Sequence, residues 1–162
     1  MKIRKATGEE MLALWGCRTP TEVSPTARFF RDNIASGNAV FWALDDEGEL
    51  VGELYAFFEL DDKDFADGRN TAYLCAFRVR EEYRGRGNGS RLMAAALADL
   101  KERGFSRATI GVESGEQRNL RLYRRLGFSA KVKECHYDPC GMDENMSPQY
   151  EETAWLLLQK EL

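Results

Sequence analysis

A chain of 162 residues, 43% hydrophobic and 31% charged, is long enough to bury one core without staples, fits one domain better than two, and is too apolar to be disordered. Its net charge of −4 supplies no basic field with which to track a phosphate backbone, so nucleic acid is not an expected partner. No stretch approaches the ~18 apolar residues of a membrane-crossing helix, no apolar run follows the basic amino terminus as a secretory leader would require, and Cys17, Cys75, Cys135 and Cys140 read as reduced thiols of a cytoplasmic protein.

Residues 2–6 read as a short opening strand. Thr7-Gly8-Glu9-Glu10 is a capping box, a hydroxyl at the cap with a carboxylate three residues on, and it opens a helix whose apolar face is Met11, Leu12, Leu14 and Trp15. A second helix starts at Ser24-Pro25, carries Phe29, Phe30 and Ile34, and stops at Gly37. Residues 39–44 and 49–60 form a hairpin around Asp45-Asp46-Glu47-Gly48. Residues 61–70 are a polar loop. Residues 71–79 make a mostly apolar strand, the pattern of a central strand covered on both faces. After a glycine-rich run at 85–89, Leu92, Met93, Ala96, Leu97 and Leu100 recur at helical spacing to about Arg103, where Gly104 ends the helix. A strand at 106–112, a helix at 116–126 ended by Gly127, and strands at 128–137 and 150–159 complete the chain. Residues 138–149, with Pro139, Gly141 and Pro148, read as its least ordered stretch. The order β-α-α-β-β-β-α-β-α-β-β argues for one mixed α/β domain over residues 1–162.

The strongest local signal is a strand, then Arg84-Gly85-Arg86-Gly87-Asn88-Gly89, then a helix. Glycines let a backbone approach an anion closely. The free N–H groups and dipole of the helix start then bind phosphate or pyrophosphate, and Arg84 and Arg86 add charge-assisted contacts. The run lacks the Gly-Lys-Ser/Thr ending of a P-loop. It also has Arg84 where the dinucleotide fingerprint needs glycine, and it lies mid-chain rather than in a first βα turn. Cys135-His136-Tyr137-Asp138-Pro139-Cys140 fits no zinc spacing, so His136 is read as structural and no metal is expected.

With Arg84, Gly87 and Gly89 matching Arg/Gln-x-x-Gly-x-Gly/Ala, the lead-in from Val79 to Gly85, and Leu122-Tyr123-Arg124-Arg125-Leu126-Gly127-Phe128 downstream, the chain resembles the GCN5-related N-acetyltransferase superfamily along nearly its whole length. The resemblance implies an α/β (α+β) fold: a mostly antiparallel mixed sheet of about seven strands, splayed between the fourth and fifth, with helices on both faces. It implies acetyl-CoA as co-substrate. Its pyrophosphate would lie on the backbone of Arg84, Gly85, Arg86, Gly87, Asn88, Gly89 and Ser90, and its pantetheine arm along Phe77, Arg78 and Val79. Tyr123 would protonate the leaving thiolate after direct attack by an amine. The acceptor would be a small-molecule amine or a protein or peptide amine, and the resemblance leans toward a homodimer; no membrane partner is expected, since no long apolar run is present. The chain departs from the pattern at Asn88, where an aliphatic residue is usual, and at Glu116, where an asparagine is common; Asn119 three residues later is a candidate for that contact. The basic run Arg118, Arg121, Arg124, Arg125 is either a solvated face or a partner for the coenzyme's 3′-phosphate. Glu53, Glu59 and Glu113 are the candidate general bases, each also readable as a solvated or salt-bridged carboxylate, while Tyr73 and Cys75 read as packing. A non-catalytic acyl-CoA-binding module and a transferase of longer acyl groups are the rival readings. The acceptor-facing segments, 7–37 and 128–155, hold no motif that names a ligand.

Overall fold

The computed structural model describes residues 1–162. Strand β1 (Lys2–Ala6) leads into helix α1 (Gly8–Leu14) and, after a 3₁₀ turn, helix α2 (Pro25–Ser36). Strands β2 (Ala39–Asp46), β3 (Glu49–Phe57) and β4 (Thr71–Val79) follow. A second 3₁₀ turn precedes helix α3 (Asn88–Glu102), and strand β5 (Arg107–Glu113), helix α4 (Gln117–Arg125), and strands β6 (Ala130–Met142) and β7 (Pro148–Glu161) complete the order expected from the sequence. No helix is long and apolar enough to cross a membrane.

The local signals act as their chemistry dictates. Thr7 Oγ1 accepts from the Glu10 N–H at 3.1 Å while Glu10 accepts from the Thr7 N–H at 3.1 Å, closing the capping box. Ser24 accepts from the Ala27 N–H, and Gly37, at φ 83°, ends α2 in the left-handed conformation. Glu47 and Gly48 both take positive φ in the two-residue turn between β2 and β3, with the Gly48 N–H donating to Asp45 at 2.6 Å.

Two readings need correction. Strand β3 stops at Phe57 rather than at residue 60, because Asn38 captures the next two N–H groups: Phe58 donates to its carbonyl and Glu59 to its side chain. Residues 138–142 are not loop but the end of β6, paired irregularly with β7 up to Met142 against Pro148. Pro139 fits there because β6 is an edge strand, where a missing N–H breaks no ladder. The loop at 61–70 is polar outside but buries Phe65 and Ala66. It is folded by Asp67, whose carboxylate accepts the N–H groups of Arg69, Asn70 and Thr71.

The seven strands lie in the order β1-β2-β3-β4-β5-β7-β6, antiparallel throughout except for β4 and β5. One core, with Met11, Phe30, Tyr55, Phe57, Tyr73 and Cys75, packs under α1 and α2. The other, with Leu54, Leu74, Leu92, Met93, Ile110 and Phe128, packs under α3 and α4. Alternate residues of β4 feed opposite cores, which is why its first five positions are all buried and its sequence is nearly continuous in apolar character.

β4 and β5 pair only over Thr71–Leu74 and Arg107–Ile110. Beyond that point Ala76 and Phe77 of β4 oppose Leu54 alone, and Ala76 adopts φ 51°. This is a bulge, and it bends β4 away while β5 stays with β7 through Glu113 and Trp155. The sheet therefore splays open between its two parallel strands.

Candidate active site

Past Cys75, the edge of β4 that would meet β5 has no strand partner. The Arg80 N–H donates to the Val51 carbonyl at 2.9 Å. Backbone groups alternate sides along a strand, so Phe77 and Val79 turn theirs toward the gap. The Val79 carbonyl accepts from Arg84 Nε at 2.7 Å, which ties the following loop back onto the strand with a side chain and leaves the loop's own N–H groups free of it.

Gly85 and Gly87 hold φ of 75° and 79°, a conformation that other L-residues adopt at a cost. Gly87 caps α3 without any side-chain hydrogen bond, so the first-turn N–H groups stay available to a ligand. At Gly89 a β-carbon would lie 3.3 Å from the Phe77 ring, which shows how closely α3 begins over β4. Asn88 is buried; its amide donates to the Tyr83 carbonyl at 2.8 Å and its oxygen accepts from Arg91, so its side chain locks loop to helix. Arg86 is exposed at the loop tip and is not among the residues that line the cavity, whereas Ser90 is.

That cavity, about 740 Å³, runs from Phe77, Arg78 and Val79 past the glycine loop to the face of α4 that carries Arg118, Asn119, Arg121, Tyr123 and Arg125. A second cavity of about 540 Å³ opens toward α1 and α2 and is lined by Trp15, Phe30, Tyr73, Cys75, Glu113, Asp138 and Trp155, among others. Phe77, Arg78, Glu116, Asn119 and Tyr123 line both, so the two join as one channel through the splayed sheet. Four arginines and no carboxylate line the first beyond the shared Arg78 and Glu116. Two carboxylates, Glu113 and Asp138, line the second beyond the shared Glu116. One mouth suits an anion and the other a cation.

Tyr123 stands at the junction. Burial alone pushes its phenol up to about 12, so it stays protonated across the neutral range. The thiols that face or back the second cavity are inert: burial raises Cys75 and holds Cys140 well above the ordinary thiol range. Of the carboxylates singled out from sequence, Glu53 lines neither cavity, and its Oε1 accepts from Trp15 Nε1 at 2.9 Å and Arg78 at 3.3 Å. Glu59 is exposed, pairs with Lys63, and lines a separate cavity between α2 and the β6–β7 turn. Glu113 lines the channel. His136 is exposed, with its ring stacked on Tyr150.

The sequence reading missed Asp138, Trp155 and the Ala76 bulge. Asp138 fell in the stretch that prolines and glycine marked as irregular. Trp155 is the residue of the last strand that reaches the channel, opposite Glu113. Nothing about an alanine signals positive φ.

A model of the acetyltransferase (GNAT) family matches residues 9–128. The chain is 30% identical over 116 residues to the L-methionine sulfoximine/L-methionine sulfone acetyltransferase of Pseudomonas aeruginosa, covering 72% of this chain and 64% of that one. It is 37% identical over 79 residues to the N-alpha-acetyltransferase MAK3 of Arabidopsis thaliana, covering 48% and 42%. The match thus spans less than two thirds of each relative's length. Among solved structures, that of Arabidopsis thaliana NAA60 in complex with acetyl-CoA superposes with a TM-score of 0.69 at 19% identity, over 99% of this chain and 98% of that one.

Proposed function

Because the chain belongs to the acetyltransferase (GNAT) family, we propose that it transfers an acetyl group from acetyl-CoA to a primary amine by direct attack. The observation that carries this reading is the channel itself: a cationic mouth with unpaired helix-start N–H groups, an acidic mouth opposite, and a protonated tyrosine between them. The coenzyme's pyrophosphate takes the N–H groups of residues 84–90, with Arg118, Arg121 and Arg125 for its remaining phosphate charge. The pantetheine arm adds along Phe77 and Val79, as a strand would. One of their N–H groups polarises the thioester carbonyl, the fixed donor that a developing oxyanion needs. The amine enters from the acidic mouth, attacks the carbonyl carbon, and the C–S bond breaks as Tyr123 protonates the thiolate. Cys75 and Cys140 are too reluctant to ionise to support a covalent acyl-enzyme.

Amine acceptors as different as an amino-acid analogue and protein amino termini are named for the relatives, so the test is a panel. Purified protein with acetyl-CoA and, in turn, L-methionine sulfoximine, spermidine and an alanine-initiated peptide should release thiol with at least one amine. No release above acetyl-CoA hydrolysis with any of them would contradict the reading. Four unpaired cysteines support a reducing, cytoplasmic setting. The homodimer suggested by the family is tested by sedimentation.

A further inference from the structure

Asp138 has no part in the reaction as given above, yet its setting disfavours a bare carboxylate. It stands in β6 just before Pro139 and lines the acidic mouth with Tyr73, Cys75 and Trp155. Oδ1 accepts the Cys140 N–H at 3.0 Å and, more loosely, the Tyr73 hydroxyl at 3.4 Å; Oδ2 accepts nothing from the protein. No lysine or arginine pairs with it, whereas Asp45 pairs with Arg4, Asp62 with Lys133 and Asp99 with Arg103. A half-buried carboxylate without a counter-ion costs the fold stability. Such an arrangement is retained where the cation arrives from outside and function repays the cost.

Resting on the acetyltransferase reading, we infer that Asp138 receives the acceptor's ammonium group and takes the proton whose loss makes it a nucleophile. One N–H bond of the ammonium breaks, its electron pair stays on nitrogen, and the proton moves to Oδ2. The neutral amine attacks the thioester carbon. The C–S bond breaks, the thiolate takes the Tyr123 proton, and the nitrogen's second proton restores Tyr123. Asp138 returns its proton to solvent, so acetyl-CoA and an ammonium ion yield an amide, a thiol and one proton.

The surroundings suit the task. Burial is the main cause that lifts the Asp138 carboxyl above the ordinary range; the Glu151 charge on β7 adds to it, while the Cys140 N–H and Tyr73 hydroxyl oppose it. Tyr73 and Cys75 on β4 and Cys140 on β6 are all raised and stay neutral. Glu113 and Arg78 also line this mouth. The rival Glu53 does not line this mouth, and its Oε1 already accepts from an indole and a guanidinium.

Asp138→Asn keeps an oxygen for Cys140 and Tyr73 and removes only the charge. With the faster of spermidine and L-methionine sulfoximine, kcat/KM should fall about 100-fold or more. Its acidic limb should vanish, acetyl-CoA affinity should hold, and the thermal midpoint should rise. A surviving acidic limb, or retained activity with a lowered midpoint, would assign Asp138 a structural role and overturn the inference. A readout free of turnover is carbon-13 NMR of the Asp138 carboxyl in the wild-type chain. Its titration midpoint should fall when n-butylammonium chloride is added, and an unmoved midpoint would also overturn the inference. Failure of the wild type to bind acetyl-CoA would instead sink the acetyltransferase reading, while the NMR titration still decides whether Asp138 holds an ammonium.

Discussion

At the residue scale, the proposed chemistry turns on side chains whose proton affinity burial has changed. Tyr123, pushed up to about 12, is a poorer acid than a free phenol but still a better one than water. It sits where both cavities meet, so Tyr123→Phe should cost about 100-fold in kcat, with acetyl-CoA affinity unchanged by calorimetry. A loss of affinity equal to the loss of rate would make Tyr123 a packing residue. Tyr123 and the loop glycines could be singled out in the sequence because each stands in a local motif, and the family resemblance of that motif implies the chemistry. Asp138 was not, because its role depends on which side chains from β4 and β7 lie around it, and Pro139 and Gly141 masked the strand that carries it. Gly111 belongs with Asp138: a β-carbon there would stand 3.2 Å from the Tyr73 hydroxyl, so Gly111→Ala should disturb the Tyr73–Asp138 contact and depress activity without touching the coenzyme.

At the scale of elements, the proposed coenzyme site divides the work of holding an anion among a short loop, a helix start and one helix face. Gly87 has open space around it, so Gly87→Val meets no clash; it forces a β-branched residue into φ 79° and re-aims the N–H groups behind it. Helix α4 turns Arg118, Arg121 and Arg125 into the cavity and leaves Arg124 outside. The double change Arg118→Gln, Arg121→Gln should weaken acetyl-CoA binding about tenfold at low salt and less at high salt, as screening dictates. An effect independent of salt would show that these arginines meet no phosphate. The boundaries of most helices were readable because caps are local: Thr7 with Glu10, Ser24 with Pro25, Gly37. The ends of β3 and β6 were not, because Asn38 terminates one from a distant turn and edge position alone licenses Pro139 in the other.

At the scale of the molecule, Arg84, Arg118, Arg121 and Arg125 line one mouth of the channel alone, and Glu113 and Asp138 line the other alone. The opening depends on a register that no local signal carries, since β4 and β5 part only because Ala76 and Phe77 bulge against β3. The fold as a whole was legible through its element order, while the depth and polarity of the channel came only with the packing. Stability follows pH through opposite kinds of carboxylate. The hydrogen bond from Arg4 holds Glu10 below the usual carboxylate range, so its contribution is present above about pH 4.3 and is lost as pH falls through the lower folded value. Asp138, raised in the fold, costs stability at neutral pH, and that cost fades as pH falls through its folded value. Arg4→Gln should therefore lower the thermal midpoint at neutral pH, and the gap to wild type should narrow by about pH 3; an equal gap at both would show that the pair adds nothing. Calorimetric titration of the protein with acetyl-CoA, run beside the Gly87→Val variant, decides whether the glycine loop holds the coenzyme. Saturable binding at one site per chain in the wild type, lost in a variant that keeps its circular dichroism, is the result the account predicts. No heat with the folded wild-type protein at high concentration would contradict it.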